Sequence, residues 1–431
     1  MKKLPKSFEH LFTICALLFF TRSLDAESLF SASEGEEGVI LTYNPFSPLL
    51  SLMQHGIFLI TLFLLFERWK MTIRTVLRGR FVWGLVILIL LSFLWSDFPD
   101  LTQRRSIAFL ETTVFSIYLA SRYPLPDQLQ LITRALGIAL LLNLLFTLAV
   151  PGSGIEYGIH AGAWRGLLIQ KNLLARLMIL GFIVFLVTTP KNKRQFYLKK
   201  IFLFLFVALV LLSTSKTALM LLILLFMLYS LYKALRWYSL RAIPFFLSGI
   251  LTIGCVITFV VSNAERLVSA AGRDLTLSGR TVIWSALFDK IQERPWLGFG
   301  YMGFWHGVYG ESAYVGKVYG TTYIPPHSHN GFIELVLGFG FVGALLFGLS
   351  FLSVVRKSFI LIRITETSEG LWPLLYLSFL ILYNQTEMTL IEHNSIFWVL
   401  YVALALSRFS YFNKEKIEPS YGAHSKPLLL P

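Results

Sequence analysis

Residues 198–232 read LKKIFLFLFVALVLLSTSKTALMLLILLFMLYSLY. At about 1.5 Å per residue, a helix of this length overruns a hydrocarbon core of roughly 30 Å. The polar interruption Ser213-Thr214-Ser215-Lys216-Thr217 falls near the middle of the run. A tight hairpin there divides it into two spans and leaves Lys216 at the outer face of the membrane. One long tilted helix would instead reverse everything downstream and carry Lys233, Arg236 and Arg241 outside. That arrangement opposes the tendency of cytoplasmic loops to collect Lys and Arg.

The rest of the chain follows from that hairpin. Of its 431 residues 55% are hydrophobic and only 14% charged, well below the roughly 25% charged of soluble domains. An all-α, polytopic integral membrane bundle of about twelve spans is expected. The spans fall near 8–24, 48–66, 81–96, 104–121, 129–150, 172–189, 198–213, 216–235, 243–262, 331–352, 371–387 and 393–408. The net charge of +14 is a topological signature rather than a nucleic-acid one, because most basic residues fall in segments that this reading places inside. Both termini are then cytoplasmic, and the acidic run Asp25, Glu27, Glu34, Glu36, Glu37 lies outside. Residues 8–24 read as an uncleaved first helix, since Glu9 and His10 interrupt the positive flank of a secretory signal. Cys15 and Cys255 both sit in apolar runs and read as small buried hydrophobes.

No linker or repeat divides the chain, so it reads as one transmembrane domain. One connection stands out: residues 263–328, a long outer-face loop between the ninth and tenth spans, of a length that usually carries function. Within it Ile283, Trp284, Leu287, Phe288 and Ile291 form one apolar stripe of an amphipathic helix over 281–294, capped by Ser278 and ended by Pro295 and Gly298.

The chemistry-bearing residues gather around this loop. Arg280, in the helix's first turn, can hold phosphate with its planar fork beside free backbone N–H groups, or snorkel to lipid headgroups. His327 and His329 flank Ser328 directly before a span. Three uses remain open for them: a general base, a helix cap, or a metal pair, the last lacking a third ligand at useful spacing before Glu334. Asn330 could fix the tautomer of His329. Lys216 is a lone cation between two apolar spans that at a helix end can simply reach water. Arg104, Arg105 and Arg165 are further outer-face cations that together could form a phosphate-attracting rim, each taken singly reading first as a solvated loop residue. The aromatic residues from Trp296 to Tyr323 suit sugar faces or an interfacial belt. Gly298-x-Gly300 is no nucleotide loop, because no strand precedes it.

The order SGR…ERPWLGFGY…HSHNGFIELVLGFGFVG, over 278–343, resembles the signature region of O-antigen ligases and Wzy-type O-antigen polymerases. Trp164-Arg165-Gly166…Lys171-Asn172 further resembles the exopolysaccharide polymerase branch. The resemblance implies a glycosyltransferase that moves a glycan from an undecaprenyl-pyrophosphate donor to a glycan or lipid-linked acceptor. The reaction would take place at the periplasmic face of a bacterial inner membrane. It implies catalytic His329 and Arg280 and a phosphate-holding Lys216; His327, Asn330, Arg165, Arg104 and Arg105 are read as further substrate contacts from their place on the outer face. No cofactor, metal or nucleic acid is implied, and a flippase and a chain-length regulator are the expected partners. The family more often has Arg where Lys216 stands, and the polymerase branch usually has His where Gln170 stands. A secondary transporter and a non-catalytic scaffold for polysaccharide export are the alternatives. Transporters usually show repeats and helices broken at the midplane, neither of which the sequence suggests.

The charge asymmetry predicts that a reporter fused after residue 310 reads as periplasmic and fusions near 195, 238 and 360 as cytoplasmic. A cytoplasmic signal at 310 would invert the topology.

Overall fold

The computed structural model describes residues 5–33, 39–41, 44–236, 280–319 and 324–409. The expected ninth span, the cap residue Ser278 and Cys255 lie outside them. The described chain is helical apart from a two-stranded antiparallel ribbon, β1 (Ser31–Ser33) with β2 (Val39–Leu41).

The helices are α1 (Lys6–Phe20), α2 (Ser47–Glu67), α3 (Trp69–Val76), α4 (Arg80–Leu91), α5 (Pro99–Arg122), α6 (Leu125–Ala149) and the single turn α7 (Pro151–Gly154). They continue with α8 (Lys171–Val187), α9 (Lys193–Leu212), α10 (Lys216–Arg236), α11 (Arg280–Glu293), α12 (Ala313–Tyr319), α13 (Gly331–Ile364), α14 (Trp372–Tyr383) and α15 (Ile396–Leu406). Among the described residues five helices are long and apolar enough to cross a membrane, or six if the bent pair of α3 and α4 forms one span. The protein is therefore a multi-pass membrane protein, helical throughout its described residues apart from that ribbon. Phe66, Leu52, Leu145 and Phe204 point outward from their helices, which water would not tolerate over such an area.

The hairpin read from 213–217 is present, with α9 ending at Leu212 and α10 starting at Lys216. Other expectations need correction. The span read as 371–387 ends at Tyr383 and the next helix starts only at Ile396, so Glu387 and Glu392 belong to a connecting loop. Cys15 is exposed on α1 rather than buried. The α11 helix forms as expected, but Phe288 faces outward while Ala286 joins Ile283, Leu287 and Ile291 in the buried stripe. That stripe packs with Phe299, Phe304, Val315, Ile333 and Leu337, so α11 rests on the bundle.

The least expected feature is a break inside α13. Gly340 has φ 61° and ψ −164°, a conformation open essentially only to glycine. The segment 295–300 fills the break with its backbone. Phe299 N–H and Gly300 N–H donate to the carbonyls of Leu337 and Gly338, each at 2.9 Å. Phe341 N–H donates to Pro295 O at 2.8 Å and Val342 N–H to Trp296 O at 3.3 Å. A Cβ on Gly340 would overlap the Trp296 carbonyl, and one on Gly298 would overlap the Leu337 carbonyl. The glycines of PWLGFGY and LGFGFVG thus serve one backbone-to-backbone contact. The long connection is accordingly built into the bundle: Phe299, Tyr301 and Phe304 are buried, whereas Trp296 and Tyr309 are exposed.

Gly340→Ala is expected to destabilise the protein by at least about 1–3 kcal/mol, read as a lower melting temperature in detergent. Gly348→Ala, on the same helix with nothing within 4 Å of the new methyl, should be neutral.

Candidate functional site

The break and its docked segment hold the start of α13 in place. Asn330 caps that helix, its Oδ1 accepting from Phe332 N–H at 2.9 Å and Ile333 N–H at 3.2 Å. Its Nδ2 donates to Gln385 O at 3.2 Å. Asn330 is thus fully used in the cap; it positions His329 through the backbone and does not touch the imidazole. Ser328 is fastened by its N–H to Glu334 Oε2 at 3.2 Å, its Oγ–H to Asn330 O at 2.8 Å, and Trp284 Nε1–H to its carbonyl at 2.8 Å. The other oxygen of Glu334 accepts from Trp305 Nε1–H at 2.8 Å.

This bracing holds His329 at φ 51°, a left-handed conformation uncommon outside glycine, in which His is nonetheless enriched. Nδ1 of His329 is buried without a hydrogen-bond partner and lies 3.7 Å from Glu387 Oε2. Glu387 Oε1 in turn accepts from Asn172 Nδ2–H at 3.2 Å. His327 Nδ1 accepts the His329 N–H at 3.2 Å. Burial, and then the neighbouring His329, push His327 down to about 4, so it stays neutral near pH 7. The ligand atoms of His327, His329 and Glu387 lie within 4.8 Å of one another, a group that could hold a metal ion. Along the sequence the nearest carboxylate after the histidines is Glu334, but the fold supplies Glu387 instead. The hydrogen bond into His327 Nδ1 opposes this use, since a neutral His327 then carries its proton on Nε2.

His327 and Glu387 line a cavity of 870 Å³ together with Arg22, Asp25, Glu27, Arg105, Gln170, Arg176, Met302, Glu392, His393 and Asn394. A second cavity of 210 Å³, walled by Tyr301, Phe304, Trp305 and Glu334, shares Arg105, Met302, Pro326, His327 and Met388 with the first. The two therefore meet at His327 and Arg105.

The arginines on the large cavity differ in charge balance. Arg22 bonds Asp25 at 3.2 Å and Glu27 at 2.5 Å, and lies 3.6 Å from Glu392. Arg176 reaches Glu392 at 3.2 Å and the Met388 carbonyl at 3.1 Å. Burial would raise the Glu392 carboxyl, but Arg176 and Arg22 overcome it and hold the group below its ordinary range. Arg105 donates only to the Met302 carbonyl, at 3.3 Å, and pairs with no carboxylate among the described residues.

The other cations named from sequence are placed differently. Lys216 is exposed at the start of α10, two residues beyond Thr214, whose Oγ1 accepts from Lys171 Nζ at 3.5 Å. The hairpin thus flanks the Gln170–Asn172 edge of the cavity. Arg104 is exposed and lines neither cavity. Arg165 is buried, donating to the carbonyls of Ser153 at 2.8 Å, Ser28 at 3.2 Å and Ile169 at 3.4 Å; it ties loops together and does not form an outer rim. Arg280 is the first residue of α11, and its side chain lies outside the described residues. Sequence reading missed Glu387, Glu392, Arg176 and Arg22. The available signal was an ionisable residue within or beside an expected span.

Residues 201–348 match a protein family described as O-Antigen ligase. Over 100 residues the chain is 29% identical to the "Exopolysaccharide production protein ExoQ" of Rhizobium meliloti (strain 1021). That similarity covers 22% of this chain and 22% of ExoQ, so the chain spans about a fifth of that relative's length. Both likenesses agree with the motif order of 278–343, and both support its resemblance to the O-antigen ligase and polymerase superfamily.

Proposed function

We propose that this protein is a membrane glycosyltransferase of polysaccharide biosynthesis. It transfers a glycan from undecaprenyl pyrophosphate to a sugar hydroxyl, at the periplasmic end of a bundle of about twelve spans in a bacterial inner membrane. One observation carries the reading: two cavities meet at His327 and Arg105, beside the His329–Glu387 pair. A group transfer needs two substrates to converge on one base and one cation. A transporter would need only a single enclosed site. The broken α13 helix is a feature of transporters, but here the docked loop saturates the break with hydrogen bonds.

In this mechanism Glu387 favours the tautomer of His329 protonated on Nδ1. Nε2 is then left to accept the proton of the acceptor hydroxyl. The 3.7 Å separation shortens as imidazolium forms. The acceptor oxygen bonds to the anomeric carbon while that carbon's bond to the pyrophosphate oxygen breaks. Arg105, Arg280 and Lys216 stabilise the departing charge. The leaving group carries the driving energy, so no cofactor or metal is required. The polyprenyl donor enters from the bilayer, with a flippase and a chain-length regulator as partners.

With a lipid-pyrophosphate glycan donor and the purified protein, His329→Ala should lower kcat by about 10²–10⁴-fold. Glu387→Gln should lower kcat by a smaller factor, and His327→Ala should be milder still. Chelator should change nothing. Loss on chelation, with His327, His329 and Glu387 variants equally damaging, would establish a metal centre instead. Absence of transfer by an intact, folded wild type would refute the enzyme reading.

The cations generate a second expectation. Arg105→Gln should raise donor KM about tenfold, since hydrogen bonds to charged groups contribute roughly 1.5–3 kcal/mol. Lys216→Arg should be tolerated and Arg280→Lys should not, because one ammonium cannot replace a planar pair of donors. Wild-type kinetics in Arg280→Ala would make that residue an interfacial anchor.

A further inference from the structure

A separate groove of 570 Å³ runs between α6, α8 and α9, at the opposite end of α8 from Asn172 and Arg176. The 17 residues of α8 span about 26 Å, close to the thickness of a hydrocarbon core. The groove is flanked by α6 and α9, both long and apolar enough to cross a membrane, and lies at the far end of α8 from the candidate site. One end is polar and cationic, with Arg134 on α6, Lys191 in the α8–α9 connection and Lys199 on α9. The other end is apolar, with Ile138 and Leu141 one and two turns further along α6, and Phe202 one turn further along α9. The helices agree on this polarity, so the groove is amphipathic along its length. Ile138 and Leu141 are exposed, which opens it sideways to the bilayer.

The charges are unequally committed. Lys199 Nζ donates to the carbonyls of Leu186 at 2.9 Å and Thr188 at 2.8 Å, capping the end of α8. Glu369, the acid facing the groove, accepts from Thr189 N–H at 3.1 Å. Arg134 and Lys191 are exposed and neither forms a salt bridge among the described residues, although Lys191, like Lys199, acts electrostatically on Glu369. We propose that this groove binds one anionic phospholipid, its phosphate against Arg134 and Lys191 and an acyl chain along Ile138, Leu141 and Phe202. Three cations against one acid complement an anionic headgroup, and the apolar end complements a chain; basic pockets between membrane helices hold such lipids. The inference is independent of the glycosyltransferase reading.

Native mass spectrometry of the purified full chain tests it, in micelles holding equal phosphatidylglycerol and phosphatidylcholine of the same acyl chains. The wild type should retain phosphatidylglycerol about tenfold over phosphatidylcholine. The double variant Arg134→Gln, Lys191→Gln should lose that preference, and each single variant should reduce it, which covers failure of the double variant to fold. Leu141→Trp, filling the apolar end, should reduce retention of both lipids. Equal retention of the two lipids by the wild type, or an unchanged preference in the charge variants, would overturn the proposal. Unchanged retention in a folded Leu141→Trp would overturn the placement of the chain.

Discussion

The structure depends on the exchange of backbone hydrogen bonds between the broken α13 helix and segment 295–300. A helix interrupted at membrane depth leaves amide and carbonyl groups without partners, each costing several kcal/mol in hydrocarbon. Here they find partners in another stretch of backbone. That contact requires two chains to approach without side chains between them, which is why glycine occupies 298 and 340. It also brings the connection between α11 and α13 into the bundle. Trp95 Nε1–H on the Leu297 carbonyl, and Tyr301 N–H on Ser92 Oγ, carry the anchorage across to the end of α4.

From that anchor the candidate site is built in successive layers. The first half of α13 is held at a defined angle, Asn330 caps it, and Ser328 is tied to Glu334, Asn330 and Trp284. His329 can then adopt its strained backbone, which surrounding contacts must over-determine if it is to persist. The bracing uses up the polar atoms of Asn330, Ser328 and Glu334 and leaves His329 Nδ1 facing Glu387.

The cavity's charges obey a similar economy. Five ionisable side chains, the arginines Arg22 and Arg176 and the carboxylates Asp25, Glu27 and Glu392, pair across three separate parts of the chain. Buried charges survive only when paired in this way. Arg105 is outside the network, bonded to a carbonyl and placed where two cavities join. A cation with no carboxylate partner among the described residues, on the same cavities as His327, is an arrangement that suits an incoming anionic group.

By itself the sequence determined the membrane setting, the hairpin at 213–217, the amphipathic helix read over 281–294 and the family resemblance, because each rests on local hydropathy or on a contiguous motif. It named both histidines and Arg105, and the fold brings His327 and Arg105 onto the same two cavities. Only the tertiary structure decided that Glu387 stands beside His329, that Arg22 and Arg176 share Glu392, and that Arg165 and Asn330 face inward. Those relations join residues far apart in the chain, and no periodicity records them. The break at Gly340 was equally hidden: its glycines were visible in sequence, but a glycine in an apolar run reads the same whether it packs a helix or interrupts one. What distinguishes the cases is the backbone of 295–300 arriving from elsewhere, and that arrival is a property of the fold.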